Sequence, residues 1–228
     1  MYDLFIANKN YSSWSLRPWL VMTELAIPFR EQLMQFPEDA SSRERFRAFS
    51  PTGKVPCLRD GEVVVWDSLA IIEYLAERHA GVWPTAPLAR AWARCAAAEM
   101  HSGFAVLRDR CTMNCGIRVK LHDMPAALER EISRLGELWS DGLERSGGPF
   151  LAGAAFSAVD AMFAPVAFRV QTYGLALDDR AAAYVARLLA LPGMQRWYTD
   201  GLAERWREPG HEADGQATGT WTADLRAT

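Results

Sequence analysis

The hydrophobic period of this 228-residue chain changes once along its length, and that change limits the folds open to it. Up to about residue 82, short β-forming runs alternate with stretches whose apolar residues recur every three or four positions. "YDLFIA" (2–7) reads as a strand, and residues 15–27 place Leu16, Trp19, Leu20 and Leu25 on one helical face. A second strand is expected over 29–34 and a short helix over 41–49. "VPCLRDGEVVVW" reads as a hairpin turning at Asp60-Gly61, a dipeptide that accepts positive φ. Residues 67–79, "DSLAIIEYLAERH", form an amphipathic helix opened by Asp67 or Ser68. The order βαβ, α, ββα builds a compact mixed sheet with helices on its faces.

Beyond "HAGVWPTAPLAR", with its Pro84 and Pro87, the pattern turns to long alanine- and leucine-rich helical segments with almost no β signal. Helices are expected over 86–114, 124–146, 157–173, 179–190 and 192–206. Ser157 and Asp160 stand three apart at the head of one of them, a near relative of the capping box. The chain therefore divides into an α+β domain (1–81), an all-helical domain (86–208) and a polar, aperiodic tail (209–228) expected to be mobile.

With 50% hydrophobic residues, 23% charged residues and a formal charge of −3, this is the composition of a soluble globular protein. It carries no basic excess to attract nucleic acid. No run reaches the roughly 18 apolar residues of a membrane span, and the first residues carry no basic leader, so a cytoplasmic location with no membrane partner is expected. The four cysteines, Cys57, Cys95, Cys111 and Cys115, lack the density of a disulfide framework and the spacing of a zinc site. They read as reduced thiols, with Cys111 and Cys115 on one helical face and no metal bound.

"YSSWSLRPWL" (11–20) puts three serines ahead of an apolar run, and a helix uses one of them as its cap. Pro18 is tolerated in a first helical turn, which makes Ser15 the expected N-cap, shifted by a residue or two if Arg17 departs from helical geometry. Ser12 and Ser13 then lie in a strand-to-helix loop with Asn8 and Asn10, at the positive end of the helix dipole, where an anion is favoured. A second polar cluster follows. "GKVP" (53–56) leads into a strand whose opening Pro56 is compatible with a cis bond and an open backbone edge. Asp67 and Ser68 set an acceptor and a hydroxyl at another helix start, suited to a ligand carrying both ammonium and carboxylate.

Taken in order, "YSSWSLRP", "SPTGKVPCL", "WDSLAIIEYLAER" and "FLAGAAFSAVDAMFAP" resemble the glutathione transferase superfamily over nearly the whole chain. The resemblance implies a thioredoxin-like N-terminal domain, an all-α C-terminal domain, a homodimer, glutathione as co-substrate and a detoxification role. It aligns Ser12 with the hydroxyl that stabilises the glutathione thiolate, with Ser13 a close second. Val55 would pair its backbone with the cysteinyl part of glutathione beside a cis Pro56. Asp67 and Ser68 would hold the γ-glutamyl end, and Lys54 the glycyl carboxylate. A free thiol has a pKa of about 8.5, so donors that favour the thiolate enlarge the nucleophilic fraction near neutral pH.

The serine is not expected to attack, because the loop lacks the glycines of a nucleophile elbow. His79, His122 and His211 read as surface or packing residues, whereas His101, in "EMHSGF", falls where the resemblance places the electrophile pocket. Trp14, Phe104 and Trp206 are candidate pocket aromatics. "SSWS" is also similar to the "SSCS" loop of the zeta class, with Trp14 in place of the cysteine. That leaves open an isomerase of the maleylacetoacetate type, whose acidic substrates would need Arg108, Arg110 or Arg169. A third alternative is a non-catalytic binding module on the same fold. Cys57, next to Pro56, reads as strand packing.

Overall fold

The computed structural model describes residues 1–37 and 41–227. Strand β1 (Tyr2–Ile6) buries Tyr2, Leu4 and Ile6 and turns Asp3 and Phe5 outward, the period of two expected of a strand against a core. Helix α1 (Ser13–Glu24) crosses back and delivers β2 (Phe29–Leu33) parallel to β1, with Tyr2 opposite Phe29 and Ile6 opposite Leu33. The short α2 (Ser42–Phe46) leads to a hairpin of β3 (Cys57–Asp60) and β4 (Val63–Val65), and α3 (Ser68–Ala76) follows. The sheet order is β2-β1-β3-β4, with β3 antiparallel to both neighbours. Gly61 turns the hairpin at φ 60°, the conformation anticipated from Asp60-Gly61.

The second half comprises α4 (Pro87–Ser102), α5 (Ala105–Arg110), β5 (Ile117–Leu121), α6 (Ala126–Ser146), α7 (Ala158–Tyr173), α8 (Asp179–Leu189), α9 (Pro192–Ala203), α10 (Pro209–Thr218) and β6 (Gly219–Asp224). Helix α7 is its axis. Apolar almost all round, it is buried along nearly its whole length and packs on α1, α4, α8 and β5. The Ser157 backbone N–H donates to Asp160 Oδ2 at 2.9 Å, the reciprocal half of a capping box. One apolar core runs through both halves, from Leu4 and Ile6 through Leu16 and Leu20 to Met162 and Phe163. A smaller cluster, Ala7, Phe46, Phe49 and Cys57, lies beneath α2, with the Cys57 thiol donating to the Phe49 carbonyl. Each fully buried large apolar side chain contributes roughly 1.5–3 kcal/mol. Among the described residues, no helix is long and apolar enough to cross a membrane.

Three expectations fail. The helix expected over 86–114 stops at Ser102: Gly103 departs from helical geometry, Phe104 takes φ 56°, and α5 starts afresh. Cys111 and Cys115 consequently share no helical face; one ends α5 and the other precedes β5. The segment expected to be a mobile tail forms α10 and β6, and β6 pairs antiparallel with β5 in a two-stranded sheet inside the helical half. Thr228, the last residue of that segment, lies outside the described residues.

Candidate functional site

The loop between β1 and α1 is held from the far end of the chain. The Lys9 and Asn10 backbone N–H groups donate to the Glu204 carboxylate, Asn10 Nδ2 donates to the Gly201 carbonyl, and Trp197 Nε1 donates to the Lys9 carbonyl at 2.8 Å. The buried Lys9 ammonium pairs with Glu31 and Asp200 and faces the rings of Trp19 and Trp197. Tyr11 donates its phenol proton to Glu212 at 2.8 Å. Burial, reinforced by that carboxylate, pushes the Tyr11 phenol well above its usual range. These anchors place Ser12, not Ser15, at the N-cap of α1.

No side chain caps that helix. The Ser12 hydroxyl donates instead to Ser15 Oγ at 2.7 Å, and Ser15 Oγ also accepts the Ala7 N–H at 3.4 Å. Ser15 is therefore an internal acceptor rather than the expected cap. Ser13, the first residue of α1, is half-buried, and its hydroxyl has no partner among the described residues. The first turn of α1 keeps its dipole and leading N–H groups for something other than a protein side chain.

Ser12, Ser13, Trp14, Lys54 and Val55 line a cleft of about 390 Å³. Trp14, Lys54 and Val55 also line an adjoining cleft of about 460 Å³, together with Pro56, Trp66, Asp67, Ser68 and His101. The two adjoin as one groove, which brings together Ser12, Ser13, Trp14, Lys54, Val55, Pro56, Asp67, Ser68 and His101 from among the residues expected from the sequence. The Val55–Pro56 peptide is cis. Gly53, at φ 65°, brings the chain against α2 so closely that a Cβ there would stand 2.3 Å from the Arg43 carbonyl oxygen. Asp67 caps α3 by accepting the Leu69 and Ala70 N–H groups through Oδ1, and its Oδ2 lies 3.2 Å from His101 Nε2. Ser68 is buried, with its Oγ unpartnered among the described residues. His101 also meets the edge of Trp14, with ring centroids 5.3 Å apart.

This site lies at the carboxyl end of β1, beside a cis-proline strand and the start of α3, on a four-stranded mixed sheet backed by a helical bundle. Residues 11–78 match the N-terminal domain family of glutathione S-transferases and residues 90–200 match the C-terminal domain family. The chain belongs to the glutathione transferase superfamily. It is 25% identical over 217 residues to glutathione S-transferase GstB of Escherichia coli (strain K12), covering 86% of this chain and 91% of that protein. A more local match, 43% identical over 65 residues, joins it to dichloromethane dehalogenase of Methylorubrum extorquens and spans 27% of this chain and 23% of that relative. The theta class glutathione S-transferase of Xanthomonas axonopodis pv. citri, solved with glutathione bound, superposes with a TM-score of 0.63 at 25% identity, covering 86% of this chain and 96% of that one.

Within the glutathione transferase fold, several lining residues were not anticipated. Tyr11, Phe36, Phe46, Thr112 and Met113 line the first cleft, joined by His211 and Asp214 from α10. His211, read from the sequence as a surface or packing residue, stacks on Tyr11 at 4.9 Å and bonds to Glu208. Arg108 and Arg169 line the same cleft, whereas Arg110 pairs with Asp123 outside it. Trp14 is the one of the three candidate aromatics that lines the groove; Phe104 is in the core, and Trp206 donates to the Phe36 carbonyl. The remaining histidines bond elsewhere, His79 to Tyr2 and His122 to Thr220.

Proposed function

We propose that this chain is a glutathione transferase in which Ser12 stabilises the thiolate of bound glutathione for attack on a small electrophile. One observation carries the reading: Ser12, Val55, cis Pro56, Asp67 and Ser68 line a single groove at the uncapped start of α1. The glycyl carboxylate of glutathione lies toward Lys54, the cysteinyl backbone pairs with Val55, and the γ-glutamyl group meets Asp67 and Ser68. Asp67 keeps Oδ2 for the ammonium, shared with His101. Rotation about one bond re-aims the Ser12 hydroxyl from Ser15 Oγ to the sulfur, where the α1 dipole adds to the stabilisation. The thiol proton leaves to solvent, the sulfur forms a bond to the electrophilic carbon, and the leaving group departs with its electron pair. The names of the relatives support the class, since one is a glutathione S-transferase and a similar structure holds glutathione.

The test is a titration of thiolate absorbance against pH with glutathione bound. Wild type is expected to hold the thiol below its free value of about 8.5, and Ser12→Ala to lose most of that shift while still binding glutathione. A shift that survives Ser12→Ala transfers the role to Ser13, and no shift in either protein removes the transferase reading.

A further inference from the structure

Three arginines meet beside the serine loop, none of them ion-paired to a carboxylate among the described residues. Arg17, on α1, is 2% exposed, and its Nε and Nη1 have no partner among the described residues. Arg108 donates Nη1 to the Met100 carbonyl; Arg169, 3% exposed, donates Nε and Nη1 to the Cys111 and Pro165 carbonyls. Those acceptors are neutral, and the charges of Asp67 near Arg17 and of Glu131 near Arg108 offset the three cations only in part. The guanidinium carbons of Arg17 and Arg108 lie 4.2 and 5.5 Å from the centroid of the Trp14 ring, and Arg108 and Arg169 line the cleft beside it.

The nearby carboxylates are committed elsewhere. Asp67 caps α3 and faces His101, Glu131 accepts the Val106 and Leu107 N–H groups, and Asp214 is exposed at the rim of the cleft. Burial, then the like charges of Arg169 and Arg108, bring the Arg17 pKa down to about 9; burial likewise brings Arg169 down to about 10. A buried cation without a counter-ion is costly, and an anion entering the cleft would relieve that cost.

We propose that Arg108 and Arg169, backed by Arg17 against the Trp14 ring, form an anion subsite that receives the carboxylate of an acidic second substrate. Nη2 of Arg169 has no protein partner among the described residues, and with Arg108 it presents charged donors suited to a planar carboxylate. Assigning the anion to the second substrate, rather than to glutathione, rests on the reading of the adjoining cleft as the glutathione site. The electrophiles favoured by this chain are then small unsaturated or aromatic acids rather than neutral halides.

Isothermal titration calorimetry of the full chain with 3,5-dinitrobenzoate and with its neutral methyl ester, each with and without saturating glutathione, tests this. The acid is expected to bind at least about tenfold more tightly than the ester, with the preference kept in glutathione. Arg108→Gln and Arg169→Gln are each expected to bring the ratio close to one, whereas Arg110→Gln, altering a charge outside the cleft, leaves it unchanged. Arg169 is buried and holds two carbonyls, so its variant is checked by circular dichroism; if it does not fold, the half-buried Arg108→Gln decides. Equal affinity for acid and ester, or a preference untouched by Arg108→Gln, overturns the subsite. Displacement of the acid by glutathione gives the arginines to glutathione's own carboxylate and overturns the assignment to a second substrate. A chain that binds no glutathione at all defeats the reading of the adjoining cleft, and the acid-to-ester ratio still decides the subsite.

Discussion

A hydroxyl has one proton, and that of Ser12 is engaged by Ser15 Oγ at 2.7 Å. Ser15 therefore competes with any sulfur for the same donor. Replacing Ser15 with Ala is expected to lower the pKa of the bound glutathione thiol below its wild-type value, read by the same absorbance titration. It also costs about 1 kcal/mol of stability, because the Ala7 N–H loses an acceptor. Asp160 shows the opposite balance. Its carboxylate accepts the Leu151 and Ser157 N–H groups and the Tyr184 phenol, yet full burial outweighs these donors and raises its pKa to about 6. The folded state thus holds this proton more tightly than the unfolded chain. The contribution is complete below the unfolded pKa and is lost as pH climbs through 6. Relative to Asp160→Asn, wild type is expected to lose on the order of 2–3 kcal/mol between about pH 4 and about pH 7, measured by urea unfolding across that range.

Among the elements, α10 and β6 matter most to the site, because α10 supplies His211 and Asp214 to the cleft. Their anchor is Arg226, buried and paired with Glu212 at 2.6 Å and Asp224 at 2.6 Å, while Glu212 also accepts the Tyr11 phenol. The Leu225 N–H donates to the Gly116 carbonyl and Ala227 to Leu202, so the pairing extends past β6. Arg226→Met leaves Glu212 without its cation and is expected to cost about 2–4 kcal/mol. Hydrogen exchange is expected to speed up first in residues 209–224, and faster exchange confined to α1 would contradict that anchor. The sequence hid these elements for a physical reason. "PGHEADGQAT" is poor in helix formers and apolar residues, and its helix is held by Glu208 accepting the His211 N–H and by contacts with distant residues. β5 did carry a short alternation, Ile117, Val119 and Leu121, and its partner strand lies about a hundred residues away.

For the molecule as a whole, the homodimer implied by the family resemblance is a proposal that sedimentation tests. Leu88 on α4 is 88% exposed and Trp66, beside the groove, is 43% exposed. Sedimentation at micromolar concentration is expected to give a dimer, and Leu88→Asp to shift it toward monomer. A wild-type monomer would remove the homodimer from the reading.

Local pattern determined the layout of the first half and the course of four of the later helices, and the family resemblance pointed to part of the groove lining. Strand alternation, the Asp60-Gly61 turn, the Asp67 cap and the Ser157–Asp160 pair are short-range signals whose energetics act within a few residues. Tertiary structure alone decided which serine opens α1, because Glu204, Trp197 and Glu212, about two hundred residues away, fix the loop. It alone ordered the C-terminal segment, set Arg17 and Arg108 against one tryptophan and brought Arg169 to the same cleft. Helical period indicates which side of a helix is buried. Whether charges on separate helices meet an acid or one another depends on how those helices pack, and no short stretch of sequence carries that information.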